Sequence, residues 1–472
     1  MIEEPPVTDS SLRLFQAREK IYPVSVKGKY RTLKWCVMTV LLAIYYITPW
    51  LRWDRGPLAP DQAILIDMPG RRAYFFFIEI WPQEVYYLMG ILILSAVGLF
   101  LVTALLGRVW CGYACPQTVW TDLFIVVERF FQGDRNQQIK RDKGPWTLDK
   151  ISRKLATHVL WLVIALLTGG AWVFYFNDAP TIFEQITHFR LPLSVGGWIA
   201  ALTGSTYLMA GFAREQVCMY MCPYARFQSA MFDKDTLIIG YDEKRGEARG
   251  HHKRGDSWEG RGHCIDCTRC VQVCPTGIDI RNGLQMECIA CGLCVDACNE
   301  VMDKIDLPRG LIRYDSARHL SAVSNVRKFN IFRPRIIYYA VIITIVCALM
   351  VLSLDTRVPL ELNVLHDRNP LFVTLSDGKA RNGYTIKILN KTPNDQTYTL
   401  DVKNLTGATV VIHGTGDTIL QDMPVFSDSV GQFRVFISAM PSTDKKIPIQ
   451  FVVKDKTTGL SASSAAVFIG EK

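Results

Sequence analysis

Two runs of cysteine constrain this chain more than any other feature. Cys264-x2-Cys267-x2-Cys270-x3-Cys274-Pro275 comes first, and Cys288-x2-Cys291-x2-Cys294-x3-Cys298 repeats its spacing. Three thiolates on one tight loop can reach three corners of a small cubane. The fourth corner is left for a cysteine brought from elsewhere. This is the spacing at which thiolates hold a four-iron, four-sulfur cluster, and where two such clusters lie side by side the fourth cysteine of each run crosses to the other. The pattern predicts one cluster on Cys264, Cys267, Cys270 and Cys298, and a second on Cys288, Cys291, Cys294 and Cys274. One run alone would also fit a zinc site, because paired C-x2-C units bind zinc. The repeat favours iron and sulfur, and hence electron transfer.

At 472 residues the chain is too long for one small cluster domain. Five apolar stretches, about 35–52, 85–107, 157–177, 196–213 and 335–354, read as membrane spans. Trp35, Trp50 and Trp198 sit near their ends, as interfacial anchors do. The formal charge is +9, but the basic residues gather in particular segments. Segment 1–34 carries Arg13, Arg18, Lys20, Lys27, Lys29, Arg31 and Lys34, and the 108–156 loop is similarly basic. The long section from Arg214 to Arg335 is rich in Lys and Arg, whereas 178–195 holds only Arg190. The positive-inside rule then puts the N-terminal segment, the 108–156 loop and the cysteine section in the cytoplasm, and the end of the chain outside. Cluster thiolates need a reducing compartment, which agrees. The charge is thus read as topology, with no nucleic-acid motif. The start, Met1-Ile2-Glu3-Glu4, is unlike a secretory signal.

The domain order read from this is a cytoplasmic segment 1–34, four spans within 35–232, a Gly-rich charged linker 233–263, a two-cluster domain 264–334, a fifth span 335–354 and a β domain 355–472. Gly246, Gly250, Gly255, Gly260 and Gly262 mark the linker, and His251 and His252 read as solvated within it. In the last part, short alternating runs such as Tyr384–Leu389, Thr397–Val402 and Ile447–Val453 predict an antiparallel sandwich without a cysteine staple. Cys36 and Cys347 lie singly in apolar runs and read as packing residues.

A second pair of motifs repeats Cys-x-Tyr-x-Cys-Pro, at Cys111–Pro116 and Cys218–Pro223. Each follows a span that runs inward, so both belong on the membrane face that carries the cluster runs. In a helix, residues four apart share a face, so each pair presents two sulfurs together. Pro after the second Cys breaks the helix unless a new one begins there. Thiolates, with the thioethers of Met219 and Met221, are soft donors that favour Cu(I). A site holding Cu(I) tighter than Cu(II), beside a low-potential cluster, makes Cu(II) easier to reduce. Cys111, Cys115, Cys218 and Cys222 are therefore the candidate catalytic and copper-binding residues. Inert helix packing is the competing explanation.

With these motifs in place, the chain resembles the cytochrome c oxidase accessory family called CcoG, FixG or RdxA. The resemblance rests on Trp110–Gln117, Cys218–Gln228, Tyr241–Glu247, both cluster runs and Gly310–Asp315. Asn299, where Pro275 follows the first run, is a departure. The resemblance implies a bacterial inner-membrane protein of five transmembrane α-helices, a cytoplasmic two-cluster ferredoxin-like domain and a periplasmic immunoglobulin-like β-sandwich. It implies two [4Fe-4S] clusters, reduction of Cu(II) to Cu(I), and a part in assembling cbb-type oxidase. The partners implied are the lipid bilayer, copper-handling and oxidase-assembly proteins, an electron donor and a second copy of the chain. Two other functions compete: a membrane ferredoxin between quinol and another reductase, and a non-catalytic assembly scaffold. A quinol site needs ionisable groups within the membrane, and His158 is the only His in an expected span.

Overall fold

In the computed structural model, residues 20–56, 59–252, 258–321, 331–356, 358–392, 394–413, 419–427, 429–440 and 445–470 are described. Arg13, Arg18 and Gly255 lie outside them. The chain divides into two compact units, residues 1–51 with 62–348, and residues 52–61 with 349–472.

Among the described residues, four helices are long and apolar enough to cross a membrane: α1 (Lys29–Ile47), which runs on as a 3-10 turn to Trp50, α2 (Tyr86–Leu106), α5 (Leu148–Phe174) and α9 (Pro334–Asp355). Between α2 and α5 lie the short α3 (Val109–Tyr113) and the amphipathic α4 (Pro116–Gln132). The stretch expected as a fourth span differs. It is a 14-residue helix, α6 (Leu193–Thr206), that widens into a π-helix over Tyr207–Ala213. Of the five spans expected, four are met by these helices, and the fourth in chain order falls on this mixed segment, which is too short as a regular α-helix to meet the same measure. Gly196, Gly197, Gly204, Ser205 and Thr206 leave α6 with weak helix formers, and π turns of this kind recur at functional sites. α5 and α6 pack closely because Gly169 has no side chain: a Cβ there would meet the Thr203 backbone N at 2.9 Å. Cys36 and Cys347 are exposed on their helices rather than packed inside, which costs nothing on a lipid-facing surface.

The segment expected as a linker, 233–263, is not one along its length. Leu237–Tyr241 forms a strand that pairs antiparallel with Ile312–Ser316, setting Ile239 opposite Tyr314. Ile239 and Tyr241 are buried with Cys264, Cys270, Leu311 and Ile312 in one core. The apolar run Leu237-Ile238-Ile239 explains this: it alternates too little for a solvated loop and buries as a strand end. Further along, the His252 ring stacks on Trp258 at 3.8 Å. α7 (Pro223–Met231) precedes the strand, and α8 (Leu293–Lys304) carries the last two cysteines of the second run. The N-terminal approach to α1 is tied to a neighbouring core of Val273, Ile289, Cys291 and Leu293, with Val24 N donating to Gln272 O at 2.8 Å.

The second unit contains two antiparallel sheets. One orders its main strands as 409–413, 429–439, 380–390 and 360–366, with short additions at 419–420 and 373–374. The other orders 423–425, 396–403, 446–455 and 461–469. Alternate residues face inward, and Tyr384, Ile386, Ile388, Val435, Ile437, Phe451, Val453 and Phe468 are wholly buried. The strand pattern read from sequence lies inside these strands. Leu360–His366 is a further strand, in which Leu360 and Leu362 are buried and Asn363 between Leu362 and Val364 is exposed.

Candidate functional site

The two cysteine loops share one backbone design. Asp266 and Thr268 in the first have φ of 52° and 54°, and Ala290 and Gly292 in the second have 52° and 75°. These positions are equivalent in the two runs. Left-handed conformations at Asp, Thr and Ala cost energy and persist where the surroundings demand them. Backbone that alternates between the two hands turns its N–H groups into a concavity for anions, iron–sulfur clusters among them.

Cys264, Cys267, Cys270 and Cys298 line one cavity. Cys274, Cys288, Cys291 and Cys294 line another, with Cys270 on the wall between. Cys294 and Cys298 sit one turn apart on α8 yet open into different cavities. Asn299 follows Cys298 inside that helix, where Pro would break it. Its Oδ1 accepts from Gly310 N at 3.0 Å. Burial and then Cys270, Cys267 and Cys264 push the Cys298 thiol up to about 12. Burial, opposed in part by the Ala290 N–H and added to by Cys291 and Cys274, does the same to Cys288. Cys294 is raised well above its ordinary range by burial and then by Cys291, Cys288 and Cys274. Among the described residues no three His, Cys, Asp or Glu side chains close on a single-ion site. Sulfurs set around cavities suit a multi-atom cluster better than one zinc ion.

The membrane-side motifs also share a design. Cys115 N bonds to Trp110 O, and Cys222 N bonds to Val217 O, both at 2.8 Å and five residues back. Each second cysteine then turns extended and becomes the N-cap of a helix whose first residue is Pro. The pairs therefore do not share one helical face, as the i, i+4 spacing predicts. Instead Cys115 and Cys222 sit at the N-terminal ends of α4 and α7. The four cysteines lie near enough to act on one another electrostatically, but among the described residues no three of them close on a single-ion site. Burial and then Cys115 push the Cys111 thiol up to about 11, with Cys222 adding to it. Burial and then Cys115, Cys111 and Cys222 push Cys218 up to about 12. Met219 is half-buried on the π turn, but Met221 is 60% exposed and turned outward, so it does not belong to this set.

The first motif is docked on the second cluster loop. Tyr113 Oη donates to Cys291 O at 3.0 Å. Cys111 packs against the core of Val273, Ile289, Cys291 and Leu293. Gly112 has no room for a side chain, since a Cβ would stand 2.7 Å from Ile289 O and 3.0 Å from Ala290 O and Cys291 Cα. Two residues that the motif reading missed complete the site. Arg108, 5% exposed, bonds to the carbonyls of Met286 and Ala225, and its charge favours the thiolates of Cys111, Cys218 and Cys288. Gln228 is fully buried; its Oε1 accepts from Cys111 Sγ at 3.4 Å while its Nε2 has no partner. Their signal was proximity alone, Arg108 just before the first motif and Gln228 just after the second.

Comparison with known proteins gives three domain matches. Residues 213–317 match a 4Fe-4S dicluster domain, residues 88–133 a 4Fe-4S binding domain, and residues 350–471 the IG-like fold at the C-terminal of FixG. The chain is 47% identical over 457 residues to the nitrogen fixation protein FixG of Rhizobium meliloti, covering 90% of this chain and 87% of that one. It is 47% identical over 438 residues to protein RdxA of Cereibacter sphaeroides, covering 91% and 92%. The ferredoxin-type protein NapH of Haemophilus influenzae is 23% identical over 228 residues, covering 45% and 67%. Together with the apolar helices, these matches describe a membrane iron–sulfur electron-transfer protein with an immunoglobulin-like C-terminal domain.

Proposed function

The chain belongs to the family of FixG and RdxA, and from that premise we propose that it is a cupric reductase of the bacterial inner membrane, supplying Cu(I) for assembly of cbb-type cytochrome c oxidase. Two [4Fe-4S] clusters are held by Cys264, Cys267, Cys270 and Cys298, and by Cys274, Cys288, Cys291 and Cys294. Five spans put both on the cytoplasmic side and the β-sandwich in the periplasm. When bound, each cluster supplies one electron at low potential. Cys111, Cys115, Cys218 and Cys222 receive Cu(II) and hold the product Cu(I), with soft sulfur favouring the reduced ion. Met219 is close enough in sequence to share in this, and Met221 is left out.

The observation that supports this reading best is the contact between motif and loop. Cys111 packs against the core that holds Ile289 and Cys291, and Gly112 lies against the backbone of residues 289–291. One-electron transfer, Cu(II) plus an electron giving Cu(I), then needs no moving carrier. The test is anaerobic reoxidation of dithionite-reduced protein by Cu(II). Wild type is expected to reoxidise fast. A variant with Ser at all four membrane-side cysteines is expected to keep its clusters and reoxidise slowly, and an unchanged rate in that variant overturns the proposal.

The match of residues 88–133 to a 4Fe-4S binding domain favours a second reading, in which these four cysteines hold a further iron–sulfur centre. Iron analysis separates the two: about eight iron atoms per chain for two clusters, about twelve for three.

A further inference from the structure

We infer that a cavity beside the π-helix, around His158 and Gln132, is a binding site where a lipid-soluble hydroquinone delivers the electrons; this rests on the reductase reading only for where the electrons go next. The cavity measures ≈ 290 Å³ and lies among α4, α5 and the π-helix, with Trp161 and Phe212 as apolar walls. Phe212 lies parallel to the His158 ring, 5.9 Å away and tilted by 15°. His158 Nδ1 is 3.0 Å from Tyr207 Oη. With the proton on Nδ1 donated to that oxygen, Nε2 is left to accept one.

Gln132, 4% exposed, lines the same cavity. Its amide orientation is fixed. The Thr157 hydroxyl donates to Arg153 O at 2.8 Å, so its oxygen can only accept, and Gln132 Nε2 donates to it at 3.0 Å. Gln132 Oε1 then has no donor. A buried acceptor without a donor is costly unless a ligand supplies one. Lys20, Glu128, Lys154 and Arg214 also line the cavity, so it joins two aromatic walls to a charged rim. A hydroquinone, a flat apolar ring with a hydroxyl at each end, matches such a mixed lining, its ring against Trp161 and Phe212 and its hydroxyls toward the side of His158 and Gln132.

The cavity also leads toward the cysteine loops. Arg214, held in a left-handed conformation at φ 42°, forms a buried ion pair with Glu128 at 2.9 Å and lines this cavity. Arg214 also lines a neighbouring cavity with Cys218, Thr276 and Ile289. Thr276 and Ile289 in turn line the cavity of Cys274, Cys288, Cys291 and Cys294. Oxidation of one hydroquinone breaks two O–H bonds and yields quinone, two protons and two electrons. The protons leave in turn through His158 Nε2 to water. The clusters that Cys264, Cys267, Cys270 and Cys298, and Cys274, Cys288, Cys291 and Cys294, would hold would supply one-electron acceptors for the two electrons, enough for two Cu(II) to become two Cu(I).

The test uses the full chain, cluster-loaded, in lipid nanodiscs without oxygen, with duroquinol as donor. Duroquinol is expected to bleach the cluster absorbance of wild type. His158→Gln is expected to slow this on the order of a hundredfold, the contribution of a positioned base. Gln132→Leu is expected to weaken duroquinone binding to the oxidised protein, measured by titration calorimetry, about tenfold. Reduction by dithionite and reoxidation by Cu(II) are expected to be unchanged in both variants. Iron content reports whether each variant is folded, and either one, folded, suffices. The inference is overturned if wild type is not bleached by duroquinol, or if a folded variant reacts and binds like wild type. Duroquinol bleaching without reoxidation by Cu(II) overturns the reductase reading and leaves this site standing.

Discussion

Replacing Gly112 by Ala probes the contact on which the proposed electron transfer to copper rests. The added carbon would stand 2.7 Å from Ile289 O and 3.0 Å from Ala290 O and Cys291 Cα. These are backbone atoms of a loop already fixed by left-handed residues at 290 and 292, so they cannot yield as a flexible side chain would. Overpacking of this kind costs about 1–3 kcal/mol. Displacing the loop also strains the Tyr113–Cys291 hydrogen bond, worth about 1 kcal/mol. Against this, Ala gains up to about 1 kcal/mol over Gly in helical backbone. The clash wins, and the net cost of about 1–3 kcal/mol falls on the loop of Cys288 and Cys291. Gly98→Ala in α2 is the control, because nothing lies within 4 Å of its Cβ position. Gly112→Ala is expected to lose iron to a chelator faster than wild type and to reoxidise more slowly with Cu(II), while Gly98→Ala matches wild type. If Gly112→Ala retained its iron and its rate, motif and loop would not be in contact, and the case for direct electron transfer would fail.

Three further outcomes are expected. Met221→Ala should leave Cu(I) affinity within about twofold of wild type, since an exposed side chain adds little, whereas Cys218→Ser should abolish tight binding. Asp122→Asn should destabilise the first unit by about 3–5 kcal/mol, because it leaves buried Arg31 and Lys34 without their carboxylate. Burial opposes ionisation of Asp122, but Lys34 and Arg31 outweigh it and hold the carboxyl below its ordinary value. Its stabilising effect is therefore present at neutral pH and is lost as pH falls below the ordinary carboxylate range, which acid unfolding of wild type against Asp122→Asn measures. A reporter active only in the periplasm should work when fused after Lys472 and stay silent near residue 250; the reverse would overturn the charge-based topology.

The cysteine runs were legible because their chemistry is local. A 2-2-3 spacing dictates a loop, and the crossed grouping of Cys274 and Cys298 follows from it, matching how the two cavities are lined. The sandwich was legible for a similar reason, since alternation along Ser429–Ala439 or Lys446–Asp455 is a property of one strand. What sequence did not reveal depends on distant partners. The i, i+4 reading of Cys111 and Cys115 failed because Pro116 begins a helix instead of ending one. The π-helix at Tyr207–Ala213 widens a turn without changing hydropathy. Residues 237–241 read as linker because their strand partner is more than seventy residues away. Arg31 and Lys34, read as topology charges, are paired inside with Asp122.

The linker reading also pictured the cluster domain as tethered to the membrane helices, and Asp296 argues otherwise. It lies on α8 between Cys294 and Cys298 and is 6% exposed. Its Oδ2 accepts from Arg31 N at 2.8 Å and its Oδ1 from Tyr30 N at 3.3 Å. These are first-turn donors of α1, which Gly28, at the N-cap, cannot satisfy with a side chain. A membrane helix is thus capped by the helix that carries two cluster cysteines. Removing such an acceptor costs about 0.5–2 kcal/mol, and its charge at a helix N-terminus adds about 0.3–1 kcal/mol. Asp296→Ala is expected to release iron to a chelator several-fold faster than wild type, since a loss of about 1.4 kcal/mol is tenfold in an opening equilibrium. Asp296→Asn keeps one acceptor oxygen and should fall between the two. If Asp296→Ala held its iron like wild type, α1 and the cluster domain would open independently, and the rigid contact that brings Cys111 to the Cys291 loop would need another support.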